Sequence, residues 1–229
     1  MTSVFDSREQ LAAHHFNRAR QQGTIQDILG RLTGRSNDLL AYEEVRRHLK
    51  GRVLGRRELR EIPLDAIIGS VGRYQDFTRQ FLPRNPATVG RWSKVKVEME
   101  ALRGVHPIEV YQVGDAYFVL DGNHRVSVAR AEGAPYIDAY VTEVETRVPL
   151  TPDVSPDTLI LKAEQPDFFD ATDLDQTRPE ADLPVTNPGQ YQALLDDIED
   201  KRRQVRQKSF LLKGPSRTGG AEWGACWKR

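Results

Sequence analysis

The stretch "PIEVYQVGDAYFVLDGNHRVSVARAEG", residues 107–133, constrains the fold more than any other part of the chain. Ile108 to Gln112 and Ala116 to Leu120 read as two apolar strands. Gly114-Asp115 between them is a turn that closes an antiparallel hairpin. The second strand runs into a helix that begins after Arg125 and stops near Gly133. A long alternating strand, "YIDAYVTEVETRVPL", follows. Upstream, "LREIPLDAIIGSVGR" gives a short extended piece broken by Pro63, then an apolar run punctuated by Gly69 and Gly72. A helix opening at Thr88 places Trp92, Val95, Met99 and Leu102 on one face. Residues 59–150 are therefore predicted to form an α+β domain, a small mixed sheet with packed helices.

Residues 1–58 read as an N-terminal helical segment of three short helices. Ser7 caps the first and Gly23 ends it; Thr24 caps the second, with Ile25, Ile28, Leu29 and Leu32 as its apolar face and Gly34 as its stop. The third runs from Asn37 to Gly51. Residues 151–187 are acidic and rich in proline without sustained periodicity, which predicts a wrapping arm docked through Phe168, Phe169 and Leu174. Residues 188–208 read as one amphipathic helix with Tyr191, Leu194, Leu195 and Ile198 as its stripe, and 209–229 as a disordered tail.

Charge is balanced overall, 33 basic against 33 acidic residues, but unevenly placed. Residues 1–60 carry a net +5, residues 151–199 a net −10, and the last thirty a net +7. A basic head permits contact with nucleic acid, although such clusters are usually solvated faces; "VRRHLKGRVLGRRELR" has a solvated helix face as its default reading. No apolar run reaches the roughly 18 to 20 residues of a membrane span. The first ten residues lack the order of a signal peptide, so a cytoplasmic location is expected. The single cysteine, Cys226, rules out an intrachain disulfide or a cysteine-rich metal site, and the five histidines lack ligand-like spacing.

The chemistry concentrates in Asp121, Gly122, Asn123, His124 and Arg125. A helix N-terminus presents unpaired N–H groups and the positive end of the helix dipole, and a glycine at the corner lets a ligand approach the backbone. Gly122 occupies that corner. Arg125 and His124 sit in the first turn, where a cation is disfavoured unless an anion joins it, and this placement points to a bound phosphate. Asp121 suits a magnesium ion or a proton acceptor. The plainer reading is that Asp121 caps the helix and Arg125 pairs with an exposed carboxylate. A second stretch, "SVGRYQDFTRQFLPR", offers Asp76 as a general base and Arg79 as a phosphate clamp beside Arg73 and Arg84, against a surface loop as the alternative. His106 suits a structural role in a loop, and Trp92 the core.

Over about residues 60–145, "EIPLDAI" and "LRGVHPIEVYQVGDAYFVLDGNHRVSVARAEGAPYIDAYV" resemble the ParB N-terminal / sulfiredoxin-like superfamily. The corresponding turn in ParB proteins, Gly-Glu-Arg-Arg, grips nucleotide phosphates. It is Gly-Cys-His-Arg in sulfiredoxin and Asp-Gly-His-His-Arg in related free-serine kinases, to which Asp121–Arg125 is closest. The resemblance implies a nucleotide-phosphate site at Gly122, Asn123, His124 and Arg125, with Arg79 nearby. It also implies magnesium with ATP or another nucleotide, and Asp121 or Asp76 as the catalytic acid of a hydrolase or small-molecule phosphotransferase. Asn123 stands where sulfiredoxin has its cysteine, which excludes thiol-dependent repair. The acidic residues 151–199 do not look like the helix-turn-helix that follows this domain in ParB proteins. The alternatives are a DNA-associated regulator or nuclease without nucleotide turnover, using the basic head, and a scaffold whose turn is merely capped.

Overall fold

The computed structural model describes residues 2–34, 36–101, 106–180, 183 and 185–213, with side chains described from 7 to 209 within these ranges. They form two compact units, 1–166 and 167–229. The first is an α+β domain around a six-stranded mixed sheet. Its strands are β1 (Leu40–Ala41), β2 (Arg52–Pro63), β3 (Ile67–Ser70), β4 (Ile108–Val113), β5 (Ala116–Asp121) and β6 (Tyr136–Glu145), in the order β1-β3-β5-β4-β6-β2. β4 and β5 form the expected antiparallel hairpin, Val113 facing Ala116 across Gly114-Asp115. β5 runs parallel to β3, β4 parallel to β6, and β2 antiparallel to β6.

Alternation along the strands sends neighbouring residues to opposite faces. Ile67 and Val119 enter one core with Ile108, Val110 and Val126; Ile68 and Phe118 enter the other with Tyr42, Val45 and Leu150. Helix α4 (Asn123–Ala131) covers the first face, and α2 (Tyr42–His48) packs on the second. Behind α4, a third cluster joins Phe16 of α1 (Thr2–Thr33), Trp92 of α3 (Val89–Glu100) and Val128 of α4. The fully buried Trp92 ring meets Phe16 edge-on at 5.8 Å and donates Nε1–H to Ser127 Oγ at 2.9 Å. Trp92 is thus a core residue, as expected.

Three local expectations need correction. The head is one 32-residue helix and one short helix, not three short ones. Gly23 does not stop α1: a Cβ there would lie 3.2 Å from Leu82 Cβ, so the missing side chain admits the 78–83 loop against the helix instead. Thr24, in mid-helix, donates to the Arg20 carbonyl and caps nothing, whereas Gly34 does end the helix, at φ 67°. Asn37 begins no helix; Leu40 and Ala41 pair with β3 before α2 starts.

The basic run is split: Arg46 and Arg47 are exposed on helix α2, as expected, but from Arg52 onward it is a strand rather than a helix face. In β2, Arg57 pairs with Glu109 at 2.7 Å, Arg60 with Glu143 at 2.7 Å, and Arg56 with Glu58 at 3.1 Å, so neighbouring carboxylates offset its charge.

The acidic arm contains a helix, α5 (Pro156–Thr172), rather than only loop. Ser155 Oγ accepts from Thr158 N at 3.1 Å at its start, and Leu159 joins the core on the α2 side of the sheet. In the second unit Phe168 packs on Tyr191 of α7 (Gln190–Lys213), ring centroids 5.2 Å apart, after the short α6 (Leu174–Thr177). The expected disordered tail lies, from residue 214, outside the described residues.

Candidate functional site

The site is built where β5 hands over to α4. The strand ends at Asp121, Gly122 turns the chain at φ 108° and ψ 19°, and α4 starts at Asn123. Only glycine fits this corner. A Cβ on Gly122 would sit 2.5 Å from Cγ2 of the buried Ile108, and the left-handed backbone opposes any side chain there.

No side chain caps α4. Asp121 turns to Arg125 instead, in an ion pair of 2.5 Å, its side chain 72% exposed against 17% for Arg125. Arg125 also donates to the backbone carbonyls of His106 and Pro107. It therefore braces the approach to β4 against the first turn of α4. His106 contributes its carbonyl to this brace, in keeping with the structural role expected of it.

Asn123 and His124 are each only 7% exposed. Asn123 Oδ1 and both ring nitrogens of His124 are buried without a hydrogen-bond partner. Buried polar atoms are nearly always satisfied, and each orphan costs on the order of 1–3 kcal/mol. The His124 ring meets Phe77 edge-on, centroids 5.4 Å apart. Burial, and then the positive charges of Arg73 and Arg91, depress its pKa to about 4 against the opposing pull of Asp76. At neutral pH His124 is therefore an uncharged imidazole with one donor and one acceptor.

Asp76 lies close enough to act on His124, its carboxylate accepting from Arg73 at 3.2 Å and from Asn85 at 3.1 Å. Arg79 does not come to the turn. Its guanidinium donates to the carbonyls of Ile68 at 3.1 Å, Pro152 at 3.0 Å and Val154 at 3.1 Å. Arg84 joins Asp27 of α1 through two bonds, at 2.7 and 3.0 Å, so it is a tie between segments. The group the sequence reading missed is Arg91. It lies in the first turn of α3, where a cation is as badly placed beside a helix dipole as Arg125 is in α4.

The depressed pKa links His124 to stability. Its folded-state pKa lies below its ordinary value of 6.5, so the unfolded chain binds the extra proton. The contribution is complete above about pH 6.5 and is lost as pH falls toward 4, amounting to about 3 kcal/mol. Urea unfolding of wild type and His124→Gln at pH 7.5 and pH 4.5 should show a smaller loss in the variant. Equal losses would mean that His124 is not held neutral.

Among the described residues, no helix is long and apolar enough to cross a membrane, and no three His, Cys, Asp or Glu side chains group as metal ligands. No family model matches the chain, and no curated protein matches it. Among solved structures, the chain is similar to sulfiredoxin from Arabidopsis thaliana, with 19% identity and a TM-score of 0.28, over 38% of this chain and 85% of that one.

Proposed function

We propose that the turn from Asp121 to Arg125 binds the phosphates of a nucleotide. The observation that carries this reading is the His124 imidazole, both ring nitrogens buried without a partner, in the first turn of a helix without a side-chain cap. A phosphate there would accept from the free backbone N–H groups of α4, from the Nδ2 amide of Asn123 and from the one N–H of the neutral His124 ring. Arg73 and Arg91, which already depress the His124 pKa, supply the positive field. The resemblance of "DGNHR" to phosphate-gripping turns of the ParB and sulfiredoxin-like proteins points the same way.

Magnesium fits this arrangement as an ion carried in by the phosphates. Asp121 offers one exposed carboxylate, and magnesium characteristically combines one or two carboxylates with phosphate oxygens and water. Bound there, it would neutralise charge on the phosphates. Asp76, beside His124, is the acid we assign to activating a water or an acceptor hydroxyl if the bound nucleotide turns over.

The test is thermal unfolding with ATP, ADP, CTP and GTP, each with magnesium, on wild type, Asn123→Ala and His124→Gln. A nucleotide at a hundred times its Kd should stabilise wild type by about 2.7 kcal/mol, a shift of several degrees, and leave both variants unmoved. Release of phosphate by wild type but not by Asp76→Asn would then establish turnover. No shift with any nucleotide removes this reading. DNA binding that weakens steeply with salt would put the regulator reading in its place.

A further inference from the structure

A cavity of about 1310 Å³ lies at the opposite end of α4, between α1, the corner at Leu64–Ile68 and the end of α4 at Arg130–Gly133. It shares no residue with the turn. Arg79 and Arg130 both line it. Their guanidiniums donate only to backbone carbonyls, those of Ile68, Pro152 and Val154 for Arg79 and those of Leu64 and Ile67 for Arg130. Neither reaches a carboxylate at ion-pair distance among the described residues. Arg130 Nε, a donor, is buried without a partner. Burial pulls both arginines below their ordinary pKa, Arg79 to about 10 with Arg130 adding its repulsion.

Two half-buried cations that repel one another need a counter-charge. The cavity supplies little of it. Asp65 lies near Arg130 without pairing, and Glu132 already pairs with the buried Lys96. From α1, His14, His15 and Arg18 add further donors, all three exposed. Their spacing, which excludes a chelate, presents several donors along one wall instead.

We propose that this cavity binds a small multivalent oxyanion, a phosphate- or carboxylate-bearing molecule held by Arg79, Arg130 and Arg18. The guanidinium fork pairs bidentately with either group, and the volume exceeds what a single simple anion fills. The site is independent of the turn, and its test is run with the turn impaired. His124→Gln protein is titrated calorimetrically with inorganic tripolyphosphate and, in a separate arm, with citrate. The same titrations are repeated after adding His15→Gln and Arg18→Gln, and after adding Arg130→Met.

Saturable one-to-one binding of at least one anion is expected, weakened roughly tenfold or more by the α1 pair and abolished by Arg130→Met. The preferred anion identifies the class of ligand. Arg130 also holds Leu64 and Ile67, so its variant is read only where circular dichroism matches the parent. The exposed α1 pair carries the test regardless. Failure of either anion to saturate, or equal affinity with and without the α1 pair, overturns the proposal.

Discussion

Gly122→Ala should destabilise the first unit by about 4 kcal/mol and abolish any ligand response at the turn. Two costs combine. A non-glycine residue at φ 108° carries backbone strain of about 1–2 kcal/mol. The new methyl must also displace Ile108 Cγ2 from 2.5 Å, and overpacking a closed core costs about 1–3 kcal/mol more. Ile108 cannot retreat freely, because it is fully buried in the strand beside β5. A double-mutant cycle with Ile108→Ala, which removes Cγ2, separates the two costs. On the Ile108→Ala background, Gly122→Ala should cost less by part of the clash and keep all of the strain. Urea denaturation measures both, and a loss below about 1.5 kcal/mol for Gly122→Ala would show that the corner is less constrained than its geometry implies.

Trp92→Ala should cost about the same, roughly 4 kcal/mol, for a different reason. Among the described residues the indole is the largest fully buried side chain, and it joins α1, α3 and α4 through Phe16 and Val128. Its removal opens a cavity between three helices and leaves the Ser127 hydroxyl, 2% exposed, without its donor. Ser127→Ala alone should cost about 1–2 kcal/mol, the price of stranding the indole N–H. Trp92→Phe should fall between the two. If Trp92→Ala lost no more than Ser127→Ala, the helix layer would owe its stability to the hydrogen bond rather than to the packed ring.

The hairpin, the turn and the helix after it were legible because each has a local signature: alternating apolar residues, Gly114-Asp115, and Gly122 before a periodic run. The fold class followed. The flanks were harder to read. A glycine that ends a helix and one that lets a loop approach it look alike in sequence, and only the contact of Gly23 with Leu82 and Thr78 separates them. For α5 the signal was present and overlooked: Ser155 before Pro156 is a capping residue followed by a proline at the first helical position.

Arg57 and Arg60 of β2 read as part of a basic run because two of their partners, Glu109 and Glu143, lie more than fifty positions away in sequence. The same distance effect hid the surroundings of His124, which gathers Arg73 and Asp76 from one loop and Arg91 from another helix. The phosphate-clamp role expected of Arg79 rested on its place in the resemblance, after the first strand, and the fold commits that side chain to three carbonyls elsewhere.

Val126, Ser127, Val128 and Ala129 are four consecutive helical residues, each no more than 2% exposed. At 100° per residue they point in four directions around α4, so this helix has no wet side. Its middle amides can meet a deuteron only when the sheet and the outer helices part. Their exchange clock therefore runs at the pace of the whole unit's opening, while the outer face of α1, where Ile25, Ile28, Leu29 and Leu32 are exposed, keeps a faster, local time.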